Sequence, residues 1–351
     1  MYNNHVIIDR NDGSVIRAYK TCRGHNDIVS SIKWSPNGEY IASHSEDTNI
    51  CLWDKDGTLK NKLDIKRYRS VKKICWSPYS DKLAIISRRL FPSIWNIEKK
   101  SIDIRESNLE HHYGIINDLA WSNDGKVFAT ASDDGIIIFW DESAKLKNRT
   151  KNIKSNIIKI IWHPDKDILT SISGDNKVYL WNNKGKEIRS FHVPYNIIND
   201  IRWSPRGDQL AIISNKCELS FWDIDGELLD VTKLREENDK YTMNNLFWAP
   251  NGECLAITCM KPRIWLYNTK KQFKKLVGHD NIVCSANWSS DANLLATPSY
   301  DTRTGIWNKK GKLKMILEGH SAPVLGVSWK PDEKILATSS FDETVRLWKI
   351  K

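Results

Sequence analysis

Four sets of residues in this 351-residue chain have the makings of nucleophilic chemistry. A histidine, a hydroxyl residue and an aspartate recur in register as His25, Ser43 and Asp47; His112, Thr130 and Asp134; His279, Thr297 and Asp301; and His320, Thr338 and Asp342. These are the residue types of a general base, a nucleophile and an orienting carboxylate. An active site needs one such set. Four of them, each followed by a tryptophan (Trp53, Trp140, Trp307, Trp348), describe a repeated structural network, because a buried indole N–H needs an acceptor.

Other chemical signals are sparse. Seven cysteines (Cys22, Cys51, Cys75, Cys217, Cys254, Cys259, Cys284) are odd in number, lie mostly in apolar strand patterns and show no CxxC or Cys/His spacing. They read as reduced thiols that pack like small hydrophobes, rather than as metal ligands or disulfides. His111-His112 is not a metal pair, since neighbours on an extended chain point apart and His112 already belongs to its set. Asn148-Arg149-Thr150 matches a glycosylation acceptor, which has meaning only in a secreted protein. The chain has no phosphate-binding glycine loop, no HExxH and no nucleophile elbow. The expectation is a non-enzyme with no cofactor and no metal.

Composition agrees. With 40% apolar residues and 16 tryptophans there is material for a large core, and 27% charged residues with no run of about 18 apolar residues argue against a membrane span. The start, MYNNHVIIDRNDG, lacks the pattern of a secretory signal, which predicts a cytoplasmic address. The net charge of +10 comes mainly from lysine in a sequence also rich in asparagine and isoleucine, so it is only a weak argument for an anionic partner.

The elements that position the four sets follow from the tryptophans. A tryptophan is followed 19 positions later by a second aromatic (34 to 53), and the pairing recurs as Trp34/Trp53, Trp76/Trp95, Trp121/Trp140, Trp162/Trp181, Trp203/Trp222, Trp248/Tyr267, Trp288/Trp307 and Trp329/Trp348. The step between units varies from 40 (248 to 288) to 45 (76 to 121) while the internal spacing is constant, so insertions fall after the third strand. The unit at 29–65 reads VSSIKW, turn, YIASHS, turn, NICLW, the turn DKDG, then TLKNKL: four short strands, a to d, joined by tight polar turns.

The Gly-His pairs at 24–25, 278–279 and 319–320 and the Trp-Asp pairs at 53–54, 140–141 and 222–223 resemble the WD40 repeat family. The resemblance covers residues 14–351, and the c-to-d turns of KDG, NKG, IDG and KKG type are similar to those of bacterial members. It implies an all-β fold: one eight-bladed β-propeller domain over 1–351, with blades starting near 24, 66, 111, 153, 194, 239, 278 and 319. The chain stops three residues after Trp348 without a strand d for its last blade. Residues 14–20, SVIRAYK, carry a strand-d pattern with no blade before them, so they are expected to pair into the last blade and close the ring.

The resemblance also implies that His, hydroxyl, Asp and strand-c Trp form a hydrogen-bonded set in blades one, three, seven and eight. Blades two, five and six lose it together, with Ile85, Ile212 and Ile257 at the hydroxyl position and Arg89, Lys216 and Lys261 at the Asp position. Joint loss makes physical sense, because removing one member strands a buried partner at about 1–3 kcal/mol. Blade four keeps Ser171, Asp175 and Trp181 but has Ile153 in place of the histidine.

In a meander the d-to-a and b-to-c loops share one face, the top. Members of the family that bind peptides imply contacts from the residues six and four before the strand-a Trp and the one before the b-to-c Asp. In blades seven, eight and one these are Ile282, Cys284, Tyr300, Pro323, Leu325, Phe341, Ile28, Ser30 and Glu46. This apolar, aromatic sector would anchor a partner side chain, or else its aromatics cover the channel mouth or each other. Blade two differs: Lys66, Arg67, Arg69, Lys72, Arg88 and Arg89, with Tyr68 interleaved, could bind a phosphate, an acidic peptide or a nucleic-acid backbone, or form a solvated charged face. Glu46 and Asp133 on the neighbouring blades would partly neutralise it. Residues 230–240 and 99–111 are the longer top-face insertions. The leading expectation is a monomeric ring that acts as a protein- or peptide-binding scaffold, with nucleic-acid or phosphate binding as the alternative.

Overall fold

A computed structural model describes residues 17–65, 71–87, 92–99, 101–103, 112–194, 197–234 and 242–350. The chain folds into eight four-stranded antiparallel sheets. Seven are consecutive meanders, as in blade one: Val29–Trp34, Tyr40–Ser45, Asn49–Asp54 and Leu59–Asp64, strands a to d. The eighth takes strands a to c from Val324–Trp329, Ile335–Ser340 and Val345–Lys349, and its fourth strand from the other end of the chain, Lys20–Cys22.

The closing strand lies later than the sequence suggests. Lys20, Thr21 and Cys22 pair with Leu347, Arg346 and Val345, and the Tyr19 N–H donates to the Leu347 carbonyl at 3.0 Å. The expected segment 14–20 thus overlaps the strand only at Lys20, and residues 14–16 lie outside the described ones. The reason is packing. Cys22 is buried between blades eight and one with Val29, Trp53 and Leu347. Gly57, in the c-to-d turn of blade one at a φ of 76°, abuts this strand; a Cβ there would sit 2.6 Å from Cys22 Sγ.

The core is divided among the blade boundaries. Each of the eight boundaries holds its own apolar cluster, from Leu52, Ile74 and Trp76 between blades one and two to Ile306, Leu336 and Trp348 between seven and eight. One blade buries its faces only against its neighbours, so the sheets are stable as a closed circle. Strand a is innermost. Its tryptophan reaches the preceding blade: Trp76 Nε1 donates to the Lys33 carbonyl at 3.2 Å, Trp121 to Cys75 at 3.2 Å and Trp162 to Ala120 at 3.1 Å.

In seven blades strand a carries a register shift four residues before its tryptophan, as at Ser30 between Val29 and Ser31 and at Leu325 between Val324 and Gly326. Blade seven departs from this. Its strand a is only Asn287–Trp288, joined by a separate bridge from Val283 to Ser299. Pro298 stands on strand b opposite the gap, and a proline has no N–H to offer the ladder.

Candidate functional site

The four repeated sets form hydrogen-bonded networks. Ser43 Oγ accepts from Trp53 Nε1 at 2.9 Å and lies 2.8 Å from His25 Nε2, while His25 Nδ1 lies 3.1 Å from Asp47 Oδ2. Because the Asp47 carboxylate can only accept, the neutral histidine carries its proton on Nδ1, and Nε2 is left to accept from the Ser43 hydroxyl, whose oxygen also takes the indole N–H. The same path runs Trp140–Thr130–His112–Asp134, Trp307–Thr297–His279–Asp301 and Trp348–Thr338–His320–Asp342. All four hydroxyl residues are fully buried beneath the indoles, so no external carbonyl can reach them.

The networks shape the top loops. Asp47 also accepts the backbone N–H of Asn26 at 3.0 Å, which ties the d-to-a loop to the b-to-c turn, as Asp134, Asp301 and Asp342 do for Tyr113, Asp280 and Ser321. A main-chain bond adds to this. Glu46 N–H donates to Ile28 O at 3.0 Å, Tyr300 to Ile282 at 2.9 Å and Phe341 to Pro323 at 2.9 Å. Two of the three top positions in each blade are therefore in direct contact. The third, four before the tryptophan, is the bulged residue in blades one and eight, where a bulge turns a side chain out of the ladder.

Across blades seven and eight this brings Tyr300 and Phe341 edge to face, with centroids 5.9 Å apart. Phe341 is 36% exposed, while Tyr300, Ile282, Cys284, Pro323, Leu325 and Ile28 are partly covered. Cys284 points its Sγ at Val324 O, 3.6 Å away, and burial pushes its thiol up to about 11, so it packs rather than reacts. In blade one, Ser30 Oγ donates to Glu46 at 3.0 Å.

The basic positions of blade two are placed only in part. Lys66, Arg67, Arg69, Arg88 and Arg89 lie outside the described residues, as does His111. Lys72 is described, and its ammonium donates to Asn117 of blade three at 2.8 Å; Asn117 in turn donates to Asp133 at 2.6 Å. Burial pushes Lys72 down, against the pull of Asp133 and Asp118. Among the described residues, no group of three or more His, Cys, Asp or Glu could hold a metal ion.

Where the set is incomplete, the structure shows compensations that the sequence conceals. In blade five, Trp222 Nε1 donates to Ser220 Oγ at 2.9 Å, two residues back on its own strand. In blade six, Tyr267 occupies the tryptophan position and stacks on Phe221 of blade five. Trp181 of blade four keeps its bond to Ser171 at 2.9 Å, while Ile153 packs into the apolar cluster where a histidine would stand.

A family model described as the IFT122 first beta-propeller matches residues 2–241, more than half of the chain. The chain belongs to this WD40 propeller family. A model of the WDR19 first beta-propeller matches residues 158–325, and the WD domain, G-beta repeat, matches residues 311–349 of the WD40 ring. Among relatives, Protein HIR1 of Candida albicans is 34% identical over 143 residues, 35% of this chain and 15% of HIR1. The intraflagellar transport protein 122 homolog of Mus musculus is 28% identical over 152 residues, 43% of this chain and 12% of that protein. A probable cytosolic iron-sulfur protein assembly protein 1 of Candida glabrata is 29% identical over 135 residues, 35% of this chain and 40% of the relative. The WD40 ring thus spans well under half of these relatives. The crystal structure of the computationally designed Ika8 protein superposes with a TM-score of 0.78 at 20% identity, covering 95% of the WD40 ring and all of the designed chain, a likeness of fold.

Proposed function

We propose that the WD40 ring is a non-catalytic scaffold that holds a peptide or protein segment on its top face, at the sector built by blades seven, eight and one. The observation that carries this reading is the Tyr300–Phe341 pair. Two aromatic side chains meet across a blade boundary, one of them exposed, on loops fixed by main-chain hydrogen bonds and buried aspartates. A rigid aromatic anchor is a strong element of an interface, because little entropy is lost when a partner packs on it.

The test is capture of partners from lysate by the intact ring and by a Tyr300→Ala/Phe341→Ala variant. The expected result is loss of a specific captured protein with far-UV circular dichroism and Tm unchanged. Undiminished capture by the folded variant would remove the site. Binding of phosphate or nucleic acid at blade two predicts an affinity that falls steeply with salt and with Arg88/Arg89 replacement. The bond from Lys72 to Asn117 lessens that alternative by committing one of its cations.

A further inference from the structure

The innermost strands carry an unbalanced set of charges. One and three residues before each strand-a tryptophan the side chains face the channel, and among these positions stand Lys33, Lys73, Lys159 and Arg202 against Asp118 and Asp200. The orientation is visible at Lys33, which is exposed although its neighbours Ile32 and Trp34 are buried. It is visible again in bonds between successive blades: Lys73 Nζ donates to Asp118 at 2.5 Å, and Lys159 to Asp200.

Both carboxylates already hold several donors. Asp118 also accepts the backbone N–H groups of Leu119 at 2.9 Å and Ile160 at 3.0 Å; Asp200 accepts those of Ile201 at 2.9 Å and Leu246 at 2.8 Å. Two cations are left over. Among the described residues Arg202 reaches the Ile201 carbonyl at 3.3 Å and, at the longer distance of 3.7 Å, Asp200. The Lys33 ammonium has no hydrogen bond or ion pair among the described residues. Blades one and five are opposite each other in a ring of eight, so Lys33 and Arg202 approach from opposite walls. The Lys33 ammonium is open to the channel but surrounded by protein, and the loss of hydration there, then Lys73 and Arg202, push it down, so Lys33 and Arg202 are within electrostatic reach of each other. Confined cations that outnumber the carboxylates beside them raise the energy of the fold, and an anion between them lowers it.

We infer that the channel of this ring is an anion site, in which Lys33 and Arg202 grip from opposite walls a phosphate-type oxyanion, free or as the phosphoryl group of a larger molecule. The site is independent of the top-face sector.

The test is thermal unfolding of the whole chain in chloride buffer with added inorganic phosphate or, separately, inositol hexakisphosphate. Comparison is with Lys33→Met, Arg202→Met and, as a control far from the channel, Lys60→Met. The expected result is a Tm that rises with at least one of the two anions in the parent and in Lys60→Met. The midpoint of that rise should move to concentrations higher by about tenfold or more in each channel variant. A response to inorganic phosphate identifies a free ion; a response to inositol hexakisphosphate alone identifies a phosphoryl group on a larger molecule. Lys33→Met should also melt no lower than the parent in chloride alone, because it removes an unpaired cation. No rise with either anion, or an equal rise in Lys33→Met, Arg202→Met and Lys60→Met, would overturn the inference.

Discussion

At the boundary where the ring closes, the main-chain N–H of Trp34 donates to Ser328 Oγ at 3.0 Å, and the buried Trp34 indole N–H has no acceptor among the described residues. Every other strand-a tryptophan spends its indole N–H on the preceding blade. Trp329, for example, donates to the Asn287 carbonyl at 3.0 Å, and Trp203 departs only in choosing Thr170 Oγ1. The closing boundary is therefore held by a hydroxyl and the Cys22 strand where the other seven use an indole.

This asymmetry predicts unequal costs for one substitution. Trp34→Phe removes no hydrogen bond, whereas Trp329→Phe leaves the Asn287 carbonyl without its donor, so Trp329→Phe should cost about 1 kcal/mol more. Urea unfolding of the two variants measures the difference. Equal losses would show that the indole bonds add nothing between blades.

The buried network predicts a larger effect at its hub. Thr338→Val keeps the shape but deprives Trp348 of its acceptor and His320 of its donor at once, which should destabilise the ring by about 1–3 kcal/mol. Blade five gives the internal comparison. Ile212 already stands at the equivalent place and Ser220 serves the indole, so Ser220→Ala should be the damaging change there. An unaffected unfolding midpoint in Thr338→Val would refute the network's contribution.

Deleting residues 1–22 removes the fourth strand of blade eight, uncovers the edge at Val345–Lys349 and opens the core around Cys22. A fall in Tm on the order of 10 °C or more is expected, with aggregation through the bared edge. In the intact chain, burial pushes the Cys22 and Cys51 thiols up to about 12. Alkylation of both at neutral pH should consequently be limited by opening of the ring, and Cys22 should react rapidly once strand pairing is lost. Fast alkylation in the folded protein would contradict the closure.

Acid should destabilise the ring from two groups acting in the same direction. Burial pushes Asp47, Asp134, Asp301 and Asp342 up, but the hydrogen bonds they accept, from His320 and Thr344 at Asp342, outweigh it and hold each below the ordinary 3.8. Burial holds His25 and His320 below the ordinary 6.5. A depressed carboxylate adds stability above its unfolded pKa, and a depressed histidine does likewise; both contributions are lost as the pH falls. Tm is expected to be level above about pH 7, to decline below about 6.5 and to fall steeply below about 4. A Tm that rises on acidification would contradict the neutral state of His25 and His320.

The sequence alone determined the repeat, the strands and the four buried sets, because each depends on residues within one blade. The Trp34-to-Trp53 spacing is set by two short strands and two tight turns, and such local geometry leaves a periodic trace. It also placed Tyr300 and Phe341 in corresponding turns. Only the tertiary structure decided what happens between blades. Which three residues close the ring depends on where Cys22 fits the core. The register shift four residues before the strand-a tryptophan in seven blades leaves no mark in the sequence, and the short strand a of blade seven has Pro298 lying across from it. The meeting of Tyr300 with Phe341, and the placing of Lys33 across the channel from Arg202, involve side chains from separate blades. Their approach is set by the curvature of the closed circle, a property of eight sheets packed together that no single blade encodes.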